Sequence, residues 1–198
     1  MKKILIIFIT IVSATSYSQI INIKDNGTVE NAYGQYYKDI DHLLDPFEGT
    51  WLYENGNVSL KIILKTRINH SNGMYSWDYI RGGYEYKVNN VTLINTLNDA
   101  TEVYTSKLKY SIIGNSILDN NDFPKCFDCL PNEYRLALMM FCNTNNIAGD
   151  MFVRKIMVNG QEALKIKTEA DGVLQDANGP ILPTDFVVPS GEYILIKQ

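Results

Sequence analysis

The sequence predicts an all-β fold, an antiparallel barrel ahead of a β-sandwich, and three observations carry that expectation. Turn signals recur at roughly eight- to twelve-residue spacing from residue 49 onward, which is the rhythm of sandwiches and barrels. Asn-Gly pairs at 55–56 and 159–160 are flanked by apolar runs and mark tight hairpins. The chain carries 13 Tyr among its 198 residues, and Tyr suits half-buried sheet surfaces.

Taken in order, residues 19–35 are polar and aperiodic after a short apolar start. They read as an N-terminal arm with room for one edge strand. Tyr36–Phe47 places Ile40, Leu43 and Leu44 at helical spacing before Pro46, so a short helix or helical turn is expected there. Strands follow at 49–53 and 58–66 around Asn55-Gly56. A turn is expected at 69–73, then a long Tyr-rich strand at 74–88, where Gly82-Gly83 suggests a bulge or bend. Asn89-Asn90 turns the chain into a strand at 91–97. Partial alternation predicts another at 101–113, closed by Gly114-Asn115. Residues 118–133 are a loop rich in Asp, Asn, Pro and Cys. Tyr134, Leu136, Leu138, Met140 and Cys142 alternate as a strand would, although Leu, Ala and Met also favour helix; neighbouring strands favour strand. A hairpin at 151–168 turns at Asn159-Gly160, a long loop spans 170–186, and 191–197 is a terminal strand. Residues 55–62 and 159–166 share an Asn-Gly turn and a Leu-Lys-Ile return, read as convergence on good hairpin chemistry rather than duplication.

The chain begins with Lys2-Lys3, an apolar run from Ile4 to Val12, and small polar residues from Ser13 to Ser18. That order predicts a secretory signal peptide over residues 1–18, with Ser16 and Ser18 before the cut. The run is too short to span a bilayer. A single β domain is expected over 36–198. The net charge of −4 becomes more negative once two Lys leave with the signal, which disfavours a polyanionic partner such as nucleic acid. No later apolar run is long enough for a membrane span.

Phe47-Glu48-Gly49-Thr50-Trp51, preceded by a helical turn, resembles the G-x-W opening of calycins (lipocalins and their relatives). Thr184-Asp185-Phe186 is similar to the T-D-Y element found before a late strand in that group. The resemblance implies a barrel closed at one end by Trp51. The Arg that usually covers this Trp has no evident counterpart in the sequence. A broader resemblance covers most of residues 19–198. Tyr36-Tyr37-Lys38-Asp39-Ile40-Asp41, Phe47 to Trp51, Asn55-Gly56-Asn57 and Leu60-Lys61-Ile62 resemble a family of exported bacterial proteins known only as a domain of unknown function. It implies export and a small β domain, and brings no activity or cofactor.

Three cysteines, Cys126, Cys129 and Cys142, allow one disulfide and one free thiol. A bond from Cys142 to Cys126 or Cys129 is expected. The C-x-x-C spacing lacks the strand-to-helix setting of a thioredoxin-like motif. Zinc requires a fourth ligand, and His42 and His70 lie far off in sequence, so no metal and no cofactor is expected. Asp39, Asp41 and Asp45, and the run 119–122, do not match a calcium loop and read as solvated loop faces. No hydrolase motif occurs, although two carboxylates flanking a cleft suffice for a glycosidase.

Tyr and Trp crowd the segment from Tyr33 to Tyr86. Trp51, Trp77 and Tyr79 are the candidate ligand-binding wall. The expected function is an exported, non-catalytic binding or interaction module of the cell envelope, periplasmic or secreted. Its partner would be a small apolar ligand, a glycan or an envelope protein. The alternatives are a small envelope hydrolase using paired carboxylates, and a structural or inhibitory envelope protein without a ligand pocket.

Overall fold

The computed structural model describes residues 19–25, 33–104, 106, 109–142, 147–173 and 187–198. The expected signal at 1–18 and Thr184-Asp185-Phe186 lie outside these residues. Eleven strands are present: β1 (Gln19–Asn22), β2 (Gln35–Lys38), β3 (Gly49–Asn55), β4 (Val58–Ser71), β5 (Ser76–Val88), β6 (Val91–Asn95), β7 (Ile112–Leu118), β8 (Arg135–Cys142), β9 (Ile147–Val158), β10 (Gln161–Val173) and β11 (Gly191–Lys197). Among the described residues helix is confined to 3₁₀ turns.

Eight strands close into an antiparallel barrel in the order β3-β4-β5-β7-β8-β9-β10-β11, with β11 returning to β3. Each barrel strand pairs with the next one in the chain apart from β6, a side branch on β5. This is an up-and-down barrel, the closed form that removes free edges. The sandwich alternative is set aside. Outside the barrel, β1 pairs in parallel with β2, and β2 in parallel with the start of β5.

Strand β5 organises the wall. One edge pairs with β4 over nearly its whole length. The other edge is shared in succession by β2 at residues 76–77, β7 at 80–82 and β6 at 85–88. Closure between β5 and β7 rests on three residue pairs, Ile80–Gly114, Arg81–Ile113 and Gly82–Ile112.

Directly opposed residues share a face of a sheet, so register identifies the lumen. One row runs Leu64–Gly82–Ile112–Met140–Gly149. Another runs Leu136–Val153–Ile166–Tyr193. Trp51, Ile62 and Tyr84 form a third, all fully buried. An eight-stranded barrel is just wide enough for its own side chains, and these rows fill it. The alternation read over 134–142 is the inward face of β8, with Leu136, Leu138, Met140 and Cys142 buried and Met139 exposed.

Several expectations need correction. The helix expected over 36–47 is strand β2 followed by a 3₁₀ turn at Asp45–Phe47, with Pro46 in its first turn. Tyr36 and Tyr37 find strand partners in Ser76 and Trp77, and that pairing overrides a weak helical period. Gly82-Gly83 is not a bulge; the register with β4 runs through it unbroken, and the shifts fall at 67/70 on β4 and at 86/87 on β5. These glycines allow close approach. A Cβ on Gly83 would lie 1.9 Å from the Thr96 carbonyl oxygen, and one on Gly82 2.4 Å from that of Ile63.

The strand expected over 101–113 is irregular to Ser111 where described, and β7 starts at Ile112 and continues past Gly114. Asp99 explains this, because its carboxylate accepts from the Ser111 amide (3.0 Å), the Ser111 hydroxyl (2.6 Å) and Tyr104 Oη (2.9 Å). Side chains thereby satisfy groups that a ladder would otherwise use. The loop expected at 170–186 begins later, since β10 extends to Val173. The two look-alike hairpins differ at the turn. Asn159 and Gly160 both have positive φ, whereas the first hairpin turns on Gly56-Asn57 with positive φ at Gly56 alone. The shared Asn-Gly is thus offset by one residue between the two hairpins.

Candidate functional site

The three candidate wall residues do not lie together. Trp51 is inside the barrel, fully buried, with its indole N–H donating to the Phe47 carbonyl at 3.0 Å. It closes the end where the 3₁₀ turn sits and is unavailable to a ligand. The cation over its ring is Lys197, 5.4 Å from the centroid.

Trp77 and Tyr79 are on the other side of the wall. Tyr79 pairs with Arg67, Trp77 pairs with His70, and both face out of the barrel, opposite in parity to Ile80 and Gly82. Their rings stand 5.9 Å apart at 32°, with Tyr75 continuing the row 5.1 Å beyond Trp77. His70 packs edge-on against both, at 4.9 and 5.5 Å. Burial, aided by the Arg67 charge, pushes the His70 imidazole below its ordinary value. Burial likewise raises the Tyr79 phenol to about 12, with Tyr110 adding to the shift.

Tyr110 anchors the irregular segment over this row. Its hydroxyl receives hydrogen bonds from Arg67 (3.2 Å), Arg81 (3.3 Å) and the Tyr104 amide (3.0 Å). Burial pushes this phenol up, yet the Tyr104 amide and the two guanidiniums outweigh it and leave the net value lowered. Tyr110 is itself fully buried, so this arrangement holds structure rather than meeting solvent.

A cavity of about 370 Å³ opens on the outer face where β5 and β7 diverge below their three pairs. Trp77 and Tyr79 form one wall. Ile113, Ala137 and Met139 form the other, with Asn115, Ser116 and Asp150 as polar groups. The Asn115 amide donates to the Asp78 carbonyl at 2.9 Å and bridges the gap between the two strands. Asp78, on the opposite face of β5, accepts from Tyr36 Oη (2.7 Å), the Asp39 amide (2.9 Å) and the Asn69 amide (2.8 Å). It ties β2 and the bulge of β4 to the mouth of this gap.

Sequence reasoning missed the β7–β9 half of the cavity. The available signal was the alternation over 134–142: once the even positions are assigned inward, Ala137 and Met139 must face out. Asp150 carried no local signal, because only the β8–β9 register places it opposite Met139.

The cysteines also depart from expectation. Cys126 bonds to Cys129, and Cys142 is a buried free thiol. Cys142 lies on the inward face of β8, while the other two sit in the loop after β7, which folds over the outside of the barrel. Asp128, between the bonded pair, accepts from Arg154 at 2.9 Å and Lys165 at 3.3 Å. The hydrogen bond from Lys165, with the charges of both cations, holds its carboxyl below the usual range. Cys126, Asp128 and Cys129 have close ligand atoms, but the sulfurs are bonded to each other and Asp128 is ion-paired. Asp39, read as a solvated face, is buried and accepts from the Leu43 and Leu44 amides.

The fold and site define a closed, up-and-down β-barrel with a packed lumen and an aromatic-walled cavity on its outer surface. The chain belongs to a family of unknown function, DUF6705, whose model matches residues 1–198. No curated protein and no solved structure matches it. Among the described residues no helix is long and apolar enough to cross a membrane.

Proposed function

We propose that this protein is an exported, non-catalytic binding module of the cell envelope that seats a glycan against the outer face of its barrel. The observation that carries this reading is the cavity walled by Trp77 and Tyr79 and edged by Asn115, Ser116 and Asp150. Trp77 is 9% exposed and Tyr79 is buried beside it, so the Trp77 ring is the aromatic shelf that the cavity offers. A shelf suits the flat apolar face of a sugar ring, while amide, hydroxyl and carboxylate groups suit its hydroxyls. The filled lumen favours this outer site over a small apolar ligand held inside. Export draws support from the order of residues 1–18 and from the disulfide, which fits an oxidising compartment. The hydrolase alternative finds less support, because this cavity is edged by the single carboxylate of Asp150.

The test is titration with soluble envelope and extracellular oligosaccharides, followed by calorimetry and tryptophan fluorescence. Binding should weaken at least about tenfold when Ala137→Trp fills the cavity or Trp77→Ala removes the shelf. Glycan binding that both variants leave unchanged, or no glycan binding at all, would overturn the reading.

A further inference from the structure

The Tyr110 hydroxyl is crowded with donors. It accepts from Arg67 Nη1 at 3.2 Å, Arg81 Nη1 at 3.3 Å and the Tyr104 amide at 3.0 Å, and it gives its own proton to the Glu102 carbonyl at 3.3 Å. A hydroxyl oxygen has two lone pairs, so three donors exceed what it can accept. Arg81 Nη1 also donates to the Glu102 carbonyl. Arg81 Nε and the hydroxyl of Tyr79, whose ring lies 6.3 Å from that of Tyr110, are buried with no hydrogen-bond partner. Buried polar groups are ordinarily satisfied, so this cluster is short of acceptors.

It is also short of negative charge. Two guanidiniums converge on one oxygen, and like charges so close repel. Lys65, the register partner of Arg81, adds a third cation on the same outer face of β4 and β5. Among the described residues none of the three makes an ion pair. Glu102 meets Arg81 through its backbone carbonyl, and the Asp99 carboxylate is committed to Ser111 and Tyr104. Elsewhere this acidic chain, at −4, gives Arg154, Lys155, Lys165, Lys167 and Lys197 each a carboxylate. Arg67 and Arg81 are only half-buried and Lys65 is exposed, so the donors that Tyr110 leaves unused are within reach from outside.

We infer that Arg67 and Arg81, with Lys65 at the rim, hold an oxyanion (a carboxylate, sulfate or phosphate group) on the outer face of the barrel. Guanidiniums present paired N–H groups that match the oxygens of such a group. An oxyanion supplies at once the acceptors and the charge that the cluster lacks. The inference does not rest on the glycan reading. The cavity beside Trp77 is bounded by β5, β7, β8 and β9, whereas these cations stand on β4 and β5, and the two sites share only Tyr79.

The experiment is an NMR titration of the full chain that reads the Arg side-chain Nε–H signals and the Tyr104 amide. Sodium acetate, sulfate and phosphate are separate probes, with ionic strength held constant by chloride. The Arg67 and Arg81 signals should shift saturably with at least one probe, at concentrations where chloride moves nothing. Saturation by acetate alone identifies a carboxylate ligand, by sulfate or phosphate alone a tetrahedral one, and by all three the shared chemistry. Arg67→Gln keeps a donor for Tyr110 and should weaken the binding at least about tenfold. Arg67→Lys keeps the charge, loses the fork and should fall between that variant and wild type. Lys65→Gln changes an exposed side chain and should weaken binding about threefold through charge alone; it decides the matter if the Arg67 variants do not fold. Three results would each overturn the inference: shifts that never saturate, shifts that chloride reproduces, or an affinity unchanged in folded Arg67→Gln or, failing that, in Lys65→Gln.

Discussion

Lys197 and Trp51 face each other across the seam where the last strand of the barrel meets the first. They are register partners, and the ammonium sits 5.4 Å from the indole centroid. The same ammonium pairs with Glu162 on β10. Hydrogen bonds from Lys155 and Lys197 hold the Glu162 carboxyl down to about 2. One side chain thus joins three strands at the point of closure.

Replacing Lys197 by Met keeps the aliphatic stem and removes the charge. It should destabilise the protein by about 1 kcal/mol, the usual worth of a cation over an aromatic ring. Chemical denaturation checks this. Wild-type stability in the variant would remove the seam role.

Gly83→Ala should be among the most damaging small substitutions in the chain. The new methyl would meet the Thr96 carbonyl at 1.9 Å, with the Thr96 carbonyl carbon at 2.7 Å and Leu97 Cα at 3.0 Å, all of them backbone atoms. The loss should be about 2–3 kcal/mol, as for other overpacked sites. Gly160→Ala, with open space around it but a φ of +80°, should cost about 1 kcal/mol through strain alone. Thermal denaturation of the two variants gives the ranking, and equal losses would contradict the close-approach account.

Thiol labelling of the denatured, unreduced protein should find one free cysteine, and peptide mapping should place it at Cys142. Removing the bond with Cys126→Ser should lower stability by at most about 2 kcal/mol, because the closed ring is short. A mapped bond to Cys142 would refute the arrangement.

His70 makes stability depend on pH. Its folded value is lowered from 6.5, so the unfolded chain takes up a proton that the folded protein resists. The contribution is fully present above pH 6.5 and is lost as pH falls from there through the folded value. Titration of the imidazole by NMR should give a midpoint below 6.5, and His70→Gln should flatten the denaturation midpoint between neutral pH and about pH 5. An imidazole titrating at or above 6.5 would contradict the burial argument.

What residues say about themselves locally was legible in advance. Strand β11 spans Gly191–Lys197 as read, β8 follows its alternation, and Asn89-Asn90 and Asn159-Gly160 turn with positive φ at both positions. Side-chain direction and turn chemistry depend on neighbours within a few residues, and these are written in order along the chain. Trp77 and Tyr79 stand out in the sequence as aromatics of a strand, but the side of the wall they occupy was not legible there. That depends on which edge of β5 meets β2, β6 and β7. The cysteine pairing, the inward place of Trp51, the use of Gly82-Gly83 for close approach and the meeting of Asp150 with Trp77 in one cavity were decided by the tertiary structure alone. Each is set by contacts between residues far apart in sequence, and their energy exists only once the barrel has closed.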